Sequence, residues 1–210
     1  MSGTSTRRRR GTLTKDEIAR AVLRVVGQHG VAGASTARIA AVVGVSEAAL
    51  YRHFKSRHDM ILAALDALYA TIRELTDSSS EKNVTERLRQ IARAHVEYSS
   101  SHRDEFMSPL LAFVTSDVSD GFREELKIRD EAAVERYVAI MEEGKAQGTI
   151  REDVDAEQAT WELIAAYWGN AVGYAVGLEH FANKGRTPKM VDFIIDGISA
   201  DAHTRTSGKT

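Results

Sequence analysis

The residue types best suited to chemistry follow one another in a short stretch, SEAALYRHFKSR, at positions 46–57. Its side chains carry hydroxyl, carboxylate, imidazole, ammonium and guanidinium groups, which suit both the backbone and the base edges of a DNA duplex. Hydroxyl and cationic groups bind phosphates, arginine can bind guanine, glutamate can accept from cytosine N4, and alanine can contact a thymine methyl. The stretch therefore predicts contact with duplex DNA through its exposed side.

Two short helices joined by a tight turn are predicted to present this stretch. Thr36 is placed to cap the first helix, Gly44 to end it in the left-handed conformation, and Ser46 to cap the second. Leu50 and Phe54, four residues apart, share the inward face of the second helix. The outward side of that helix then carries Glu47, Ala48, Tyr51, Arg52 and His53. Helix, glycine turn and second helix are typical of a helix-turn-helix.

The segments TARIAAVVGVS and LYRHFKSRHDMILAAL resemble the DNA-binding domain of the TetR family of transcriptional regulators, and the similarity covers roughly residues 13–65. The resemblance implies an N-terminal DNA-binding domain followed by a helical domain that binds a small effector and forms a homodimer. Family members often have glycine and then threonine or serine where this chain has Ala48-Ala49, so one hydroxyl donor is missing. We add Arg52 and Arg57, because their guanidinium groups can bind bases or phosphates. The predicted DNA-binding residues are then Thr36, Ser46, Glu47, Ala48, Ala49, Tyr51, Arg52, His53, Lys55 and Arg57.

Composition and charge agree with a protein that has one DNA-binding end. The chain has 210 residues, 43% of them hydrophobic, which is enough to bury a sizeable core in one or two domains. Residues 1–58 contain 11 Lys and Arg against 3 Asp and Glu, whereas residues 59–210 contain 17 against 27. A basic segment joined to an acidic remainder indicates that only the N-terminal part meets a polyanion.

The helical period of apolar residues continues along the chain and predicts an all-α fold of about nine helices. We expect a disordered basic arm at 1–12, a three-helix DNA-binding domain at 13–57, a helical effector-binding and dimerisation domain at 58–200 and a disordered tail at 201–210. Residues 7–10, all arginine, could bind phosphates or a minor groove, and a solvated tail is an equally good interpretation. In the larger domain, helices are predicted from Ser108, over 119–147, over 155–181 and from Thr187.

The middle helices are rich in aromatic and methionine side chains, each of which singly suits a core position. Taken together, and given the family resemblance, they imply a pocket for a small, largely apolar ligand, oriented by a tyrosine, Asn170 or His95. Ligand binding would release DNA, with the helix that starts at Arg57 acting as the lever. The predicted lining residues are Phe106, Met107, Phe113, Tyr137, Met141, Trp161, Trp168, Asn170 and Tyr174.

Glycines recur every fourth position in the predicted helix at 155–181, which would let another helix approach closely. The resemblance implies that the two C-terminal helices pair across a two-fold axis. A dimer of this kind suits a palindromic operator, because each copy reads one half-site. The predicted interface residues are Gly169, Gly173, Gly177, Ile194 and Ile198.

Several function classes lack any support in the sequence. It has no cysteine, no nucleotide-binding glycine loop, no nucleophile motif and no zinc motif, so we expect no enzyme, no cofactor and no metal. It has no run of 18 apolar residues and no secretory signal, so we expect a cytoplasmic protein. Two functions follow: a ligand-responsive, dimeric DNA-binding repressor, or a helical binding or adaptor protein without sequence-specific DNA binding.

Overall fold

The computed structural model describes residues 13–117, 121–178 and 186–200, which form nine helices and one isolated β-bridge, Ile150–Ser199. The predicted all-α fold is confirmed, and the predicted arm at 1–12 and tail at 201–210 lie outside the described residues. In chain order the helices are α1 Lys15–Gly33, α2 Thr36–Val43, α3 Glu47–Leu50, α4 Arg57–Thr76, α5 Val84–Ser101, α6 Met107–Val114, α7 Phe122–Ala146, α8 Ala156–Ala175 and α9 Arg186–Ile198.

The start of α1 is fixed by a reciprocal pair of hydrogen bonds. The Thr14 hydroxyl accepts from the Glu17 N–H at 3.2 Å, and the Glu17 carboxylate accepts from the Thr14 N–H at 2.9 Å. These two bonds satisfy N–H groups that have no partner inside the helix. The bonds from Thr14 also lower the pKa of the Glu17 carboxyl.

Two apolar clusters hold the helices together. The first joins α1 to α4 and continues into α6 and α7, so α4 belongs to the same core as the helix-turn-helix. The second joins α5, α7, α8 and α9. Fully buried members of the first cluster include Ile18, Val22, Ile39, Leu50, Met60 and Phe113, and those of the second include Val84, Ile91, Met141 and Ile195.

Several helix ends differ from the sequence prediction. Ser108 does not cap α6, because the helix begins one residue earlier, at Met107, and its N-cap position is Phe106. Helix α7 begins at Phe122 rather than near residue 119, which lies outside the described residues. Helix α8 ends at Ala175 rather than near residue 181, because Gly177 adopts φ 73° and turns the chain away. That left-handed position is where glycine commonly ends a helix.

In the part of the chain that the structure describes, no helix is both long enough and apolar enough to cross a membrane.

Candidate nucleic-acid interface and effector cavity

Hydroxyl caps and one glycine set the angle between α2 and α3. Gly44 has φ 80° and donates its N–H to the Ala40 carbonyl at 2.9 Å, which ends α2 as predicted. Ser46 accepts from the Ala49 N–H at 3.3 Å and so caps α3, also as predicted. The cap of α2 was placed one residue too late: the Ser35 hydroxyl accepts from the Arg38 N–H at 3.3 Å.

Thr36 is instead the first residue of α2, and its hydroxyl is engaged by the next helix. It donates a hydrogen bond to the Glu47 carboxylate. This bond holds an acidic side chain over the start of α2, where the positive end of the helix dipole also favours it. The bond therefore fixes the orientation of Glu47 on the exposed side of α3.

The exposed side of α3 and of the turn after it carries most of the predicted DNA-binding residues. Tyr51 is 48% exposed, Glu47, Ala48, Arg52 and Lys55 are exposed, and His53 is half-buried. Among the described residues, Arg52 and Lys55 form no ion pair. Their charges therefore remain available for phosphates.

Two of the predicted DNA-binding residues point elsewhere. Ala49 is only 7% exposed, because it lies on the side of α3 that packs inward beside Leu50. Arg57 donates from Nε to the Ala34 carbonyl at 2.9 Å and from its terminal nitrogen to the Val31 carbonyl. It thereby pins the connection between α1 and α2 to the start of α4. Arg57 thus has a structural role in the helix-turn-helix, and two of its three nitrogens are engaged by these carbonyls.

A cavity of about 150 Å³ lies between α4, α5, α6, α7 and α8; we call it the inner cavity. Four of the nine predicted ligand residues line it, namely Phe106, Tyr137, Trp161 and Trp168. The residues that sequence reasoning did not include in its lining set are Tyr69, Ile72, His95, Ser99, Leu110, Asp130, Ala133, Val134, Ile164 and Tyr167.

Four of the other five predicted ligand residues do not line the inner cavity. Met107, Phe113 and Met141 are at most 5% exposed and belong to the apolar clusters, where packing accounts for them. The Asn170 side chain accepts a hydrogen bond from the Thr187 hydroxyl at 2.8 Å, so it ties α8 to α9. The side chain of Tyr174 lies outside the described residues.

The inner cavity contains buried polar groups that the protein leaves without partners. His95 is 7% exposed, and its Nε2 has no hydrogen-bond partner within the described chain, whereas the Tyr137 hydroxyl lies beside the side chains of Thr76 and Tyr167 without a well-aligned hydrogen bond to either. Burial lowers the pKa of His95 to about 4, so the imidazole is neutral at pH 7. Burial also raises the pKa of the Tyr137 hydroxyl, which therefore stays protonated. Buried groups in this state cost free energy until something binds them.

A tyrosine–carboxylate pair completes the polar part of the inner cavity. The Tyr69 hydroxyl donates to Asp130 Oδ1 at 2.5 Å, linking α4 to α7. Burial raises the pKa of the Asp130 carboxyl, and burial together with this carboxylate raises the pKa of Tyr69. The two residues are 61 positions apart, so no local sequence signal could have brought them together.

The C-terminal helices expose apolar side chains other than the predicted ones. Gly173 is buried, Ile198 is 8% exposed and Ile194 packs against the second cluster, so these three face the protomer interior. Gly177 lies beyond α8, and Gly169 borders open space. The exposed large apolar residues of α8, of the turn after it and of α9 are Trp161, Val172, Val176, Leu178, Met190 and Phe193, the last at 80%.

The first four helices match the sequence model of a known protein family. The sequence model described as bacterial regulatory proteins, tetR family, matches residues 16–64, which run from α1 into α4. The nucleoid occlusion factor SlmA of Vibrio campbellii is 33% identical over 106 residues, which are 48% of this chain and 52% of that protein. The chain thus spans about half the length of this curated relative.

Solved structures extend the likeness to the whole fold. FadR of Bacillus subtilis, solved in complex with stearoyl-CoA, gives a TM-score of 0.75 at 16% identity, over 88% of this chain and 100% of that one. SmeT, the repressor of the Stenotrophomonas maltophilia multidrug efflux pump SmeDEF, gives 0.74 at 20% identity, over 90% and 91%.

The matched segment runs from α1 into α4, and the solved structures share the fold of the larger part of the chain. Residues 16–64 of the chain are thus similar to the tetR family of bacterial regulatory proteins.

Proposed function

We propose that this regulator is a dimeric repressor that binds a palindromic operator and releases it when a small molecule occupies the inner cavity. The observation that carries the proposal is the exposed side of α3. There, Arg52 and Lys55 are exposed and lack an ion pair among the described residues, while Tyr51 projects beside them. Free cations on the outer side of a helix-turn-helix are what phosphate contact requires. DNA binding of this kind takes place in the cytoplasm, the compartment that the sequence predicts.

The proposed contacts divide by chemistry. Lys55, Tyr51, His53 and the hydroxyl of Ser46 bind phosphates, which sets the position of α3 without reading sequence. Arg52 is the residue on this side that can bind guanine through two hydrogen bonds. Glu47 and Ala48 complete the base-facing set, which the sequence analysis placed there together with Ala49. We leave Ala49 and Arg57 out of the contact set because their side chains serve the protomer.

Selection of bound duplexes from a random pool tests this proposal and supplies the operator. On the selected duplex, Arg52→Gln should weaken binding about tenfold to a hundredfold, as loss of a good base contact does. Lys127→Gln is the matched control, because Lys127 is exposed on α7, far along the chain from α3. Absence of any preferred duplex would contradict the proposal and favour the adaptor function. Equal binding by both variants would remove Arg52 from the interface.

The dimer is proposed to form through α8 and α9. Phe193 is 80% exposed and Val176 is 66% exposed, and large apolar side chains left this open mark interaction surfaces. Two copies of such a surface can meet across a two-fold axis and bury both sets. Phe193→Glu should therefore shift the protein toward monomer in sedimentation, whereas Ile128→Glu, an exposed apolar position on α7, should not. A dimer unchanged by Phe193→Glu would contradict this placement.

Two helices, rather than α4 alone, are proposed to carry the signal from the inner cavity. Helix α4 lines the cavity through Tyr69 and shares the core of the helix-turn-helix, whereas α6 lines it through Phe106 and Leu110. Helix α6 and the turn before it also touch α1 closely. A Cβ on Gly27 would lie 3.1 Å from the Asp104 carbonyl, from Ser108 and from Pro109, and Arg24 pairs with Glu105 at 2.9 Å.

The ligand acts by favouring one of two arrangements of these helices. A shift from 99:1 to 1:99 requires about 10⁴-fold tighter binding to the released state. The unpartnered Nε2 of His95 supplies such discrimination if it binds ligand in one state only. The complex of FadR with stearoyl-CoA and the naming of SmeT as a repressor support a ligand-responsive repressor on this fold.

A further inference from the structure

A second cavity adjoins the inner cavity and differs from it in charge. Its volume is about 230 Å³, and it lies between the last turns of α4 and the middle of α7. The two cavities share four wall residues, Tyr69, Ile72, Ala133 and Tyr137. We call the second cavity the arginine vestibule, because Arg73, Arg129 and Arg136 line it and no carboxylate does so among its described lining residues.

The three arginines are not equally engaged. Arg129 donates to Asp66 and to Glu125 at 2.6 Å, and Arg136 pairs with Asp77. Arg73 forms no ion pair with any described residue. It follows Tyr69 by four positions on α4, so it lies one turn along the helix from the shared wall. A guanidinium without a counterion beside a cavity is a binding group for a carboxylate or a phosphate.

The inner cavity has the opposite character. Its walls are mainly apolar and aromatic, and a cavity of about 150 Å³ is large enough for a group of the size of benzene. Asp130 is the ionisable acid in its lining, and this carboxylate already accepts from Tyr69. An anionic group would be repelled by Asp130 inside the cavity and attracted by Arg73 outside it. The charge pattern therefore orients an amphiphile with its apolar end inward.

We propose that the effector is an anionic amphiphile whose apolar group, about the size of a benzene ring, fills the inner cavity and whose carboxylate or phosphate binds Arg73 in the arginine vestibule. The inference rests on the proposed effector function and adds the ligand's chemical class. It replaces the small, largely apolar molecule that the sequence predicts with one that carries a charge.

Tryptophan fluorescence of the full-length protein tests this proposal directly. Trp161 and Trp168 are the two tryptophans of the chain, and both line the inner cavity. The probes are octanoate, octyl phosphate and 1-octanol, which share a chain length and differ in the head group. We expect either anion to bind at least tenfold more tightly than the alcohol, and the stronger of the two identifies the head group.

Variants of Arg73 separate a charge effect from a structural one. Arg73→Gln should weaken binding of the preferred anion about tenfold and leave 1-octanol unchanged, whereas Arg73→Lys should retain most of the affinity. Arg123→Gln, at an exposed position of α7 outside both cavities, is the matched control and should bind as the unaltered chain does. The thermal midpoint of each variant, measured without ligand, verifies that it is folded.

Different experimental results would contradict the anionic class of the ligand and the effector function itself. Equal affinity for octanoate, octyl phosphate and 1-octanol, or an equal loss for all three in Arg73→Gln, would overturn the anionic class while leaving the cavity as the effector site. No fluorescence change and no rise in thermal midpoint with any probe would overturn both.

Discussion

The helix-turn-helix and the helical domain differ in how fully their buried polar groups are satisfied. In residues 13–57 the caps at Thr14, Ser35 and Ser46 all have partners, and Arg57 binds two backbone carbonyls. Every buried side-chain polar atom without a partner in the described chain belongs to the larger domain, at Arg87, His95, Tyr137 and Thr160. The buried polar side chains of the first domain are satisfied within the chain, whereas the second domain contains buried polar atoms that are not.

This difference has a physical consequence for function. A DNA-binding surface must keep one geometry in order to match adjacent major grooves, and satisfied hydrogen bonds hold it there. An effector site must instead gain free energy from its ligand, and unpartnered groups such as His95 Nε2 provide that gain. Both domains share the core around α4, so a change at the cavity can reach the helix-turn-helix.

The largest expected effect is on the pH dependence of the free energy of unfolding, and it arises from His95 in the larger domain. His95 has its pKa lowered to about 4 by burial, against about 6.5 in the unfolded chain, so the unfolded state binds the proton more readily between these values. The free energy of unfolding should fall by up to about 1.4 kcal/mol per pH unit from pH 6.5 down to pH 4. Chemical denaturation at several pH values measures this fall.

His95→Gln removes that titration, so the free energy of unfolding of the variant should fall less steeply over this range than that of the unaltered chain. His29→Gln, at an exposed position on α1, serves as the control and should follow the unaltered chain. Parallel pH profiles for the chain with and without His95 would show that the imidazole is not buried as described.

A somewhat smaller loss of stability is expected when the hydrogen bonds of Arg57 in the helix-turn-helix are removed. Arg57→Gln leaves the carbonyls of Val31 and Ala34 without their charged donor, at residues that are 2% and 0% exposed. We expect the free energy of unfolding to fall by about 1.5–3 kcal/mol. Arg52→Gln, five residues earlier and exposed, should stay within about 0.5 kcal/mol of the unaltered chain. Equal stability of the two variants would contradict the structural role of Arg57.

The smallest changes in stability are expected at two glycines, Gly44, where the backbone conformation favours glycine, and Gly169, where it does not. Gly44 has φ 80°, so Gly44→Ala should cost about 1 kcal/mol of stability. Gly169 lies inside α8 next to open space, so Gly169→Ala should gain about 0.5–1 kcal/mol. Urea denaturation measures both changes, and sedimentation of Gly169→Ala measures the dimer. A weaker dimer would show that Gly169 allows the close approach of a partner helix, as the sequence predicts.

Local hydrogen bonds explain why the helix-turn-helix was predictable from sequence. A capping hydroxyl, its N–H partner three residues later and a left-handed glycine all lie within a few positions of one another. The prediction was wrong where neighbours compete locally, since Ser35 and Thr36 both offer a hydroxyl. It was also wrong where a distant contact decides, since Arg57 binds carbonyls 23 and 26 positions earlier.

The lining of the inner cavity was only partly predictable, because five helices contribute to it. Aromatic content identified Tyr137, Trp161 and Trp168, but the same rule also selected Met141 and Phe113, which fill the core. Composition cannot distinguish a side chain that lines a cavity from one that packs against its neighbours. Nor could periodicity alone have paired Tyr69 with Asp130, which belong to different helices.

The salt dependence of binding to the selected duplex tests the central claim most directly. A dimer whose α3 residues contact phosphates in two half-sites should release counterions from about six or more phosphates. The logarithm of its association constant should then fall against the logarithm of salt concentration with a slope of about −5 or steeper. A slope near zero would contradict the account, because α3 would then not lie against the DNA backbone.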